Sequence, residues 1–184
     1  MRLLWIWGGV LGAVLHAGGG NAAELRSEYT DLDFAQCTTI EADDTGAISA
    51  CPGLRGYPVV IGEGDLRMFV SFGIDAGSEP AMNQTMSPFN HLGKKIEWLV
   101  DASDADNPQP RATILRWFTA GEDGTDKGQV LVVTQIKPGA TCQISWIDAL
   151  ATKDANEKAR RIGATAGDYD CTKEPETVQP FTAF

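Results

Sequence analysis

Lys95-Ile96-Glu97-Trp98-Leu99-Val100 is the stretch from which the fold is read. Ile96, Trp98 and Val100 alternate with Lys95, Glu97 and Leu99. A period of two places successive side chains on opposite faces of a strand, and aromatic and β-branched residues suit a pleated surface. Downstream, residues 112–118, 130–136 and 142–147 repeat the β-rich pattern, separated by turns at 101–110, 121–128 and Pro138-Gly139. Upstream, residues 57–61 and 66–72 flank the turn Glu63-Gly64-Asp65. Short strands joined by turn clusters, with no helical crossover between them, predict an antiparallel meander and argue against parallel pairing.

One helix is expected near the C-terminus. Asp154 is placed as its N-cap and Glu157, three residues on, completes a capping box. Ala155, Ala159, Ile162 and Ala166 share one face, and Gly167 ends the run. Residues 24–56 show little periodicity and read as an irregular arm with a short strand near Phe34. Residues 75–94, which include Gly77, Pro80 and Pro88, read as a long loop. Residues 174–184 read as a loosely ordered tail. The expected fold class is α+β: an antiparallel β-sheet meander with one C-terminal helix and two disulfides, in a single globular domain over 24–173.

The first residues address the chain. Arg2 precedes the apolar runs 3–7 and 10–15, and Gly20-Asn21-Ala22-Ala23 supplies small residues for cleavage. Residues 1–23 therefore read as a signal peptide for a periplasmic or extracellular location. The apolar stretch falls short of the roughly 20 residues that span a bilayer, so no membrane insertion is expected. In an exported chain, Cys37, Cys51, Cys142 and Cys171 read as two disulfides. Three pairings are open; Cys37–Cys51 with Cys142–Cys171 is favoured because each bridge closes a local loop. A zinc site would need clustered sulfur and nitrogen ligands. The chain has no C-x-x-C, and His91 is the one histidine beyond the leader, so no metal or other cofactor is expected.

Charge sorts the partners. The formal net charge is −10, and loss of Arg2 with the leader takes it to −11. Such a surface gains nothing from counterion release on nucleic acid. A basic protein is the better-matched partner.

Candidate chemistry is sparse. No G-x-S-x-G surrounds a serine, so Ser87 beside His91 is weaker as a nucleophile pair than as loop residues. The carboxylate pairs Glu63/Asp65, Glu122/Asp123 and Asp168/Asp170 all sit in turns, where solvated acids are ordinary. Residues 101–107 supply hard oxygen ligands but lack the glycine and glutamate of an EF-hand loop. Trp98, Trp117 and Trp146 on three strands read as core, with a ligand groove as the alternative. Arg67, Arg116 and Glu97 read as cross-strand ion-pair partners. The 75–95 segment is the candidate interaction surface: Met82, Met86, Phe89 and His91, followed by the basic pair Lys94-Lys95.

A set of short motifs carries a resemblance. Residues 27–33 (Ser-Glu-Tyr-Thr-Asp-Leu-Asp), Cys51-Pro52-Gly53, Gly64-Asp65-Leu66-Arg67, Phe89-Asn90-His91 with Glu97-Trp98, Ile114-Leu115-Arg116-Trp117, and Asp148-Ala149-Leu150 with residues 155–160 together resemble small exported alphaproteobacterial proteins. That group has no assigned activity, so the resemblance implies a periplasmic setting and no catalytic residue. The expected function is a non-catalytic binding or interaction module, a protein inhibitor being one version. A small hydrolase using carboxylates or His91, and a structural envelope or stress protein, are the alternatives.

Overall fold

A computed structural model describes residues 25–184; the signal-peptide reading of 1–23 lies outside the described residues. The strands are β1 (Leu25–Asp31), β2 (Thr38–Asp43), β3 (Gly46–Cys51), β4 (Val59–Gly64), β5 (Arg67–Phe72), β6 (Phe89–Asp101), β7 (Gln109–Ala120), β8 (Asp126–Gln135), β9 (Cys142–Asp148) and β10 (Glu176–Val178). The helix α1 (Ala155–Gly163) lies between β9 and β10. The strands form two sheets, one in the order β1-β6-β7-β8-β9-β10 and one in the order β2-β3-β4-β5.

The alternation in β6 explains the layering. Ile96, Trp98 and Val100 join Leu115, Trp117, Val130 and Val132 on one face of the larger sheet. They meet Val59, Ile61, Val70 and Phe72 from the smaller sheet across an apolar interface, with Phe72 edge-on to Trp98 at 5.4 Å. On the other face, Leu99, Ile114, Leu131 and Val133 lie beneath Ala155 and Ala159 of α1. The order is small sheet, large sheet, helix. Because β6 is covered on both faces, Glu97 is buried, and its carboxylate is met by Arg160 of α1 (Nε–Oε1 2.6 Å) and by Ser27 Oγ (2.5 Å).

The antiparallel, one-helix, two-disulfide class stands: the bridges are Cys37–Cys51 and Cys142–Cys171, the favoured pairing. Several details differ from the sequence reading. The 24–56 segment is three strands rather than an irregular arm, and Phe34 lies in a short 3-10 turn, Phe34–Gln36. The reason is burial. All six residues of β2 are exposed, so this hairpin carries no apolar alternation, and backbone pairing to β4 together with Cys37–Cys51 defines it. Residues 75–94 are likewise not all loop: they contain the 3-10 turns Ala76–Ser78 and Pro80–Asn83 and the start of β6 at Phe89. The ladders are antiparallel except one: β10 pairs parallel to β9, and α1 is the crossover that the strand-by-strand reading lacked. Asp154 caps no amide. An N-cap needs extended backbone, whereas Asp154 is left-handed at φ 55°.

The tail, expected to lie loosely, is fastened. Its Val178 pairs with Ile147, and the Thr182 amide and hydroxyl both donate to Asp148 Oδ2 at 2.9 Å. Ala183 is buried because Gly128 has no side chain; a Cβ there would stand 2.6 Å from the Ala183 carbonyl oxygen. Burial alone would raise the Asp148 pKa, but the amides of Ala151, Thr182 and Leu150 and the Thr182 hydroxyl outweigh it and hold the carboxyl below the usual range. A depressed folded pKa means stabilisation that is complete above the unfolded value of about 3.9 and lost as pH falls through the lower, folded value. Tail protection is therefore expected to fall in acid below about pH 4. Asp148→Asn at neutral pH should weaken it by about 2 kcal/mol. Hydrogen exchange at the Thr182 amide reads both; pH-independent exchange protection there would contradict the assignment.

Among the described residues, no helix is long and apolar enough to cross a membrane.

Candidate functional site

The residues of the 75–95 segment do not form one patch. Met86 is buried between the sheets. Met82 sits in the 80–83 turn with its methyl against Gly62 on the outer face of the small sheet. Phe89 lies under the Arg67 guanidinium at 5.2 Å. His91 stacks on Phe118 at 4.9 Å, and its Nε2 is 2.9 Å from Asp126 Oδ1. Lys95 pairs with Asp31 at 2.6 Å, while Lys94 is exposed and its carbonyl accepts from the Leu32 amide. Ser87 is tied through its carbonyl to Arg67 Nε.

The other candidates resolve into structure. Trp98 and Trp117 are fully buried, and Trp146 packs on Phe184. Asp101 accepts from the Ser103 amide and from Arg111, and Asp104 accepts from the amides of Asp106 and Asn107, so the 101–107 carboxylates build their own turn. Asp123 and Asp170 are each held below the ordinary carboxylate range by the hydroxyl and then the amide of the threonine two residues on. Such groups stay ionised and shape turns. Among the described residues, no cluster of three or more His, Cys, Asp or Glu is placed to hold a metal.

What the fold does bring together is an acidic end. The pairing Gly64↔Arg67 leaves Asp65 and Leu66 as a two-residue hairpin turn, one residue later than the glycine suggested. Both have positive φ, 51° and 59°, the geometry in which Asn-Gly is favoured. Leu66 is an unfavourable choice there, since left-handed backbone costs an L-residue about 1–2 kcal/mol. Even so, Leu66 is 62% exposed. Its carbonyl is held by the Asn90 amide at 3.0 Å, and Arg67 pairs with Asp65. The tip is thus a rigid apolar knob.

Hollows lie on either side of this hairpin. On the outer face, Glu41, Asp43, Ile48, Gly62, Phe69 and Met82 line one of about 380 Å3. Toward the sandwich, Glu63, Leu66, Met68, Phe89, His91 and Glu122 line another of about 290 Å3. Glu63 and Glu122 line the same hollow as Leu66, and Asp65 precedes it in the turn. Asp43 lines the outer hollow, and Arg67 and Lys127 are already paired to Asp65 and Asp123. Met82, Phe89 and His91 lie here as marked from the sequence, whereas the sequence reading places Leu66 as the first residue of a strand, one position after the turn.

No known protein family, curated protein or solved structure matches this chain.

Proposed function

We propose that this chain is an exported, non-catalytic binding module whose partner is a basic protein, engaged through the acidic end of the sandwich. Leu66 carries the reading: an exposed apolar side chain is kept in a left-handed position where glycine is easier, with Asp65, Glu63 and Glu122 beside it. Apolar anchors surrounded by charge are how specific interfaces divide the work, the anchor supplying affinity and the rim steering encounter. Two disulfides, compatible with an oxidising compartment, hold the scaffold that presents the tip. The export reading rests on the signal-like residues 1–23 and places the encounter in the periplasm or outside the cell.

The decisive variant is Leu66→Gly, which keeps every charge. It is expected to raise folding stability by about 0.5–1 kcal/mol, the backbone relief exceeding the entropy cost of glycine. It should also weaken capture of the basic partner from periplasmic extract by about tenfold or more. Glu63→Lys with Glu122→Lys should weaken capture further at low salt and leave little difference at high salt, where exposed charges are screened. If Leu66→Gly stabilises the fold and the same basic polypeptide is captured undiminished, the tip is not the contact and the proposal fails.

A further inference from the structure

The opposite end of the sandwich holds a cleft of about 480 Å3, walled by loops from both sheets. That volume lies within the roughly 300–1,000 Å3 of small-molecule sites. Its accessible apolar walls are Tyr57 and Pro138, with Ile74 standing 89% exposed at the rim and Phe72 and Ile136 buried behind them. The frame is braced across the two sheets. Tyr57 Oη donates to Gln109 Oε1 at 2.5 Å, joining the approach to β4 to the start of β7. Glu79 is 4% exposed, and its two oxygens accept from the amides of Gly139 (2.6 Å) and Thr141 (2.9 Å), tying the 80–83 turn to the β8–β9 turn. Left-handed backbone gathers here too, at Arg55 (φ 50°) and Gly73 (φ 107°). Such conformations persist where surrounding structure over-determines them, and they concentrate at ligand clamps.

Accounting for the polar groups identifies the ligand class. Glu79 has both oxygens engaged, and Gln109 is engaged at both its oxygen and its nitrogen. The guanidinium groups of Arg55 and Arg111 bond through Nη2 alone, to Glu28 and Asp101. Each guanidinium is thus paired with one carboxylate and keeps Nε and Nη1 hydrogens without a protein acceptor on residues that line the cleft, and planar guanidinium donors match a carboxylate. Asp75 on the same rim disfavours a second negative charge. We propose that this cleft binds a small monocarboxylic acid with an apolar body, the carboxylate facing Arg111 and Arg55 and the body against Tyr57, Ile74 and Pro138. The site is at the other end of the molecule from the acidic tip and does not depend on the partner proposed there.

The test titrates the oxidised protein with 3-phenylpropionate and, separately, with its neutral amide, following two-dimensional NMR shifts. Saturable shifts confined to the cleft residues are expected for the acid at millimolar concentration or below, with the amide about tenfold weaker or worse. Arg111→Gln should weaken the acid by about tenfold and leave the amide unchanged. Arg55→Gln is the second variant, its folding checked by the same spectra. Absence of saturable cleft shifts, equal binding of acid and amide, or undiminished acid binding in both folded variants would overturn the proposal.

Discussion

Trp98→Ala is expected to cost about 3–5 kcal/mol of folding stability, the range for removing a buried Trp or Phe side chain from a core. Trp98 is completely buried. Its ring meets Phe72 edge-on at 5.4 Å, and its indole nitrogen donates to Thr30 Oγ1 at 2.8 Å. One residue thus joins the small sheet to the large one and β6 to β1. Against a typical domain stability of about 5–15 kcal/mol, the loss is about a fifth or more of the total. The melting temperature should fall by on the order of 10 °C. Trp98→Phe keeps an aromatic ring near Phe72 but loses the bond to Thr30 and the volume of the larger indole, so its cost should be smaller, about 2–3 kcal/mol. Urea unfolding of the two variants measures both figures. A Trp98→Ala variant within about 1 kcal/mol of wild type would mean that the inter-sheet core is not centred on this residue.

Removal of the Cys142–Cys171 bridge, as the double variant Cys142→Ala/Cys171→Ala, is the second large effect. The bridge closes a loop with a sequence separation of 29, worth about 3.5 kcal/mol on the chain-entropy account. The Cys37–Cys51 loop, of separation 14, is worth about 3 kcal/mol. The two differ more in where the loss falls than in size. Cys142 lies in β9, and Cys171 follows α1 on the way to β10, so the bridge fastens the crossover that makes the one parallel pair. Gln135, buried beneath, donates to the Ala140 carbonyl and accepts from the Gly167 amide, contacts that rely on the same loop staying in place. Hydrogen exchange should rise in α1 and β10 well before β6, β7 and β8. Uniform loss of protection across the large sheet would show that the crossover is not a separable unit.

The central strands were legible because their side chains obey the period-two rule where burial enforces it. Trp98 points into the inter-sheet core in the alternation from which β6 was read, and Trp117 and Val132 do so from the β-rich runs read as β7 and β8. The local disulfides were legible for a different reason, since short loops bring cysteines together in any compact arrangement. The β2–β3 hairpin was not legible: exposed Thr38, Glu41 and Asp43 carry no burial pattern, and the strand exists because β3 offers it backbone partners. The parallel pairing of β10 was hidden because residues 174–184 read as a loosely ordered tail, which left α1 with no strand to connect to. Glu97, read as a cross-strand partner, faces the helix, and its cation comes from Arg160, 63 residues away.

The candidate sites divide the same way. Met82, Phe89 and His91 drew attention as apolar or titratable residues in a segment rich in turns, yet they flank the site without making it. Leu66 is conspicuous only once its backbone is seen to be left-handed and its side chain exposed. In the cleft, Arg55, Tyr57, Gln109 and Arg111 come from segments that only the stacking of two sheets brings face to face.

Local chemistry, then, determined what this protein is made of: short strands from alternation, one helix from its apolar face, bridges from nearby cysteines, and an acidic surface from composition. Each of those depends on neighbours a few residues apart, or on a sum over the whole chain. Tertiary structure alone decided the split into two sheets, the parallel edge, the burial of Glu97 against Arg160, and both candidate sites. Those depend on which faces meet, and burial, unlike periodicity, is a property of residues far apart in the chain.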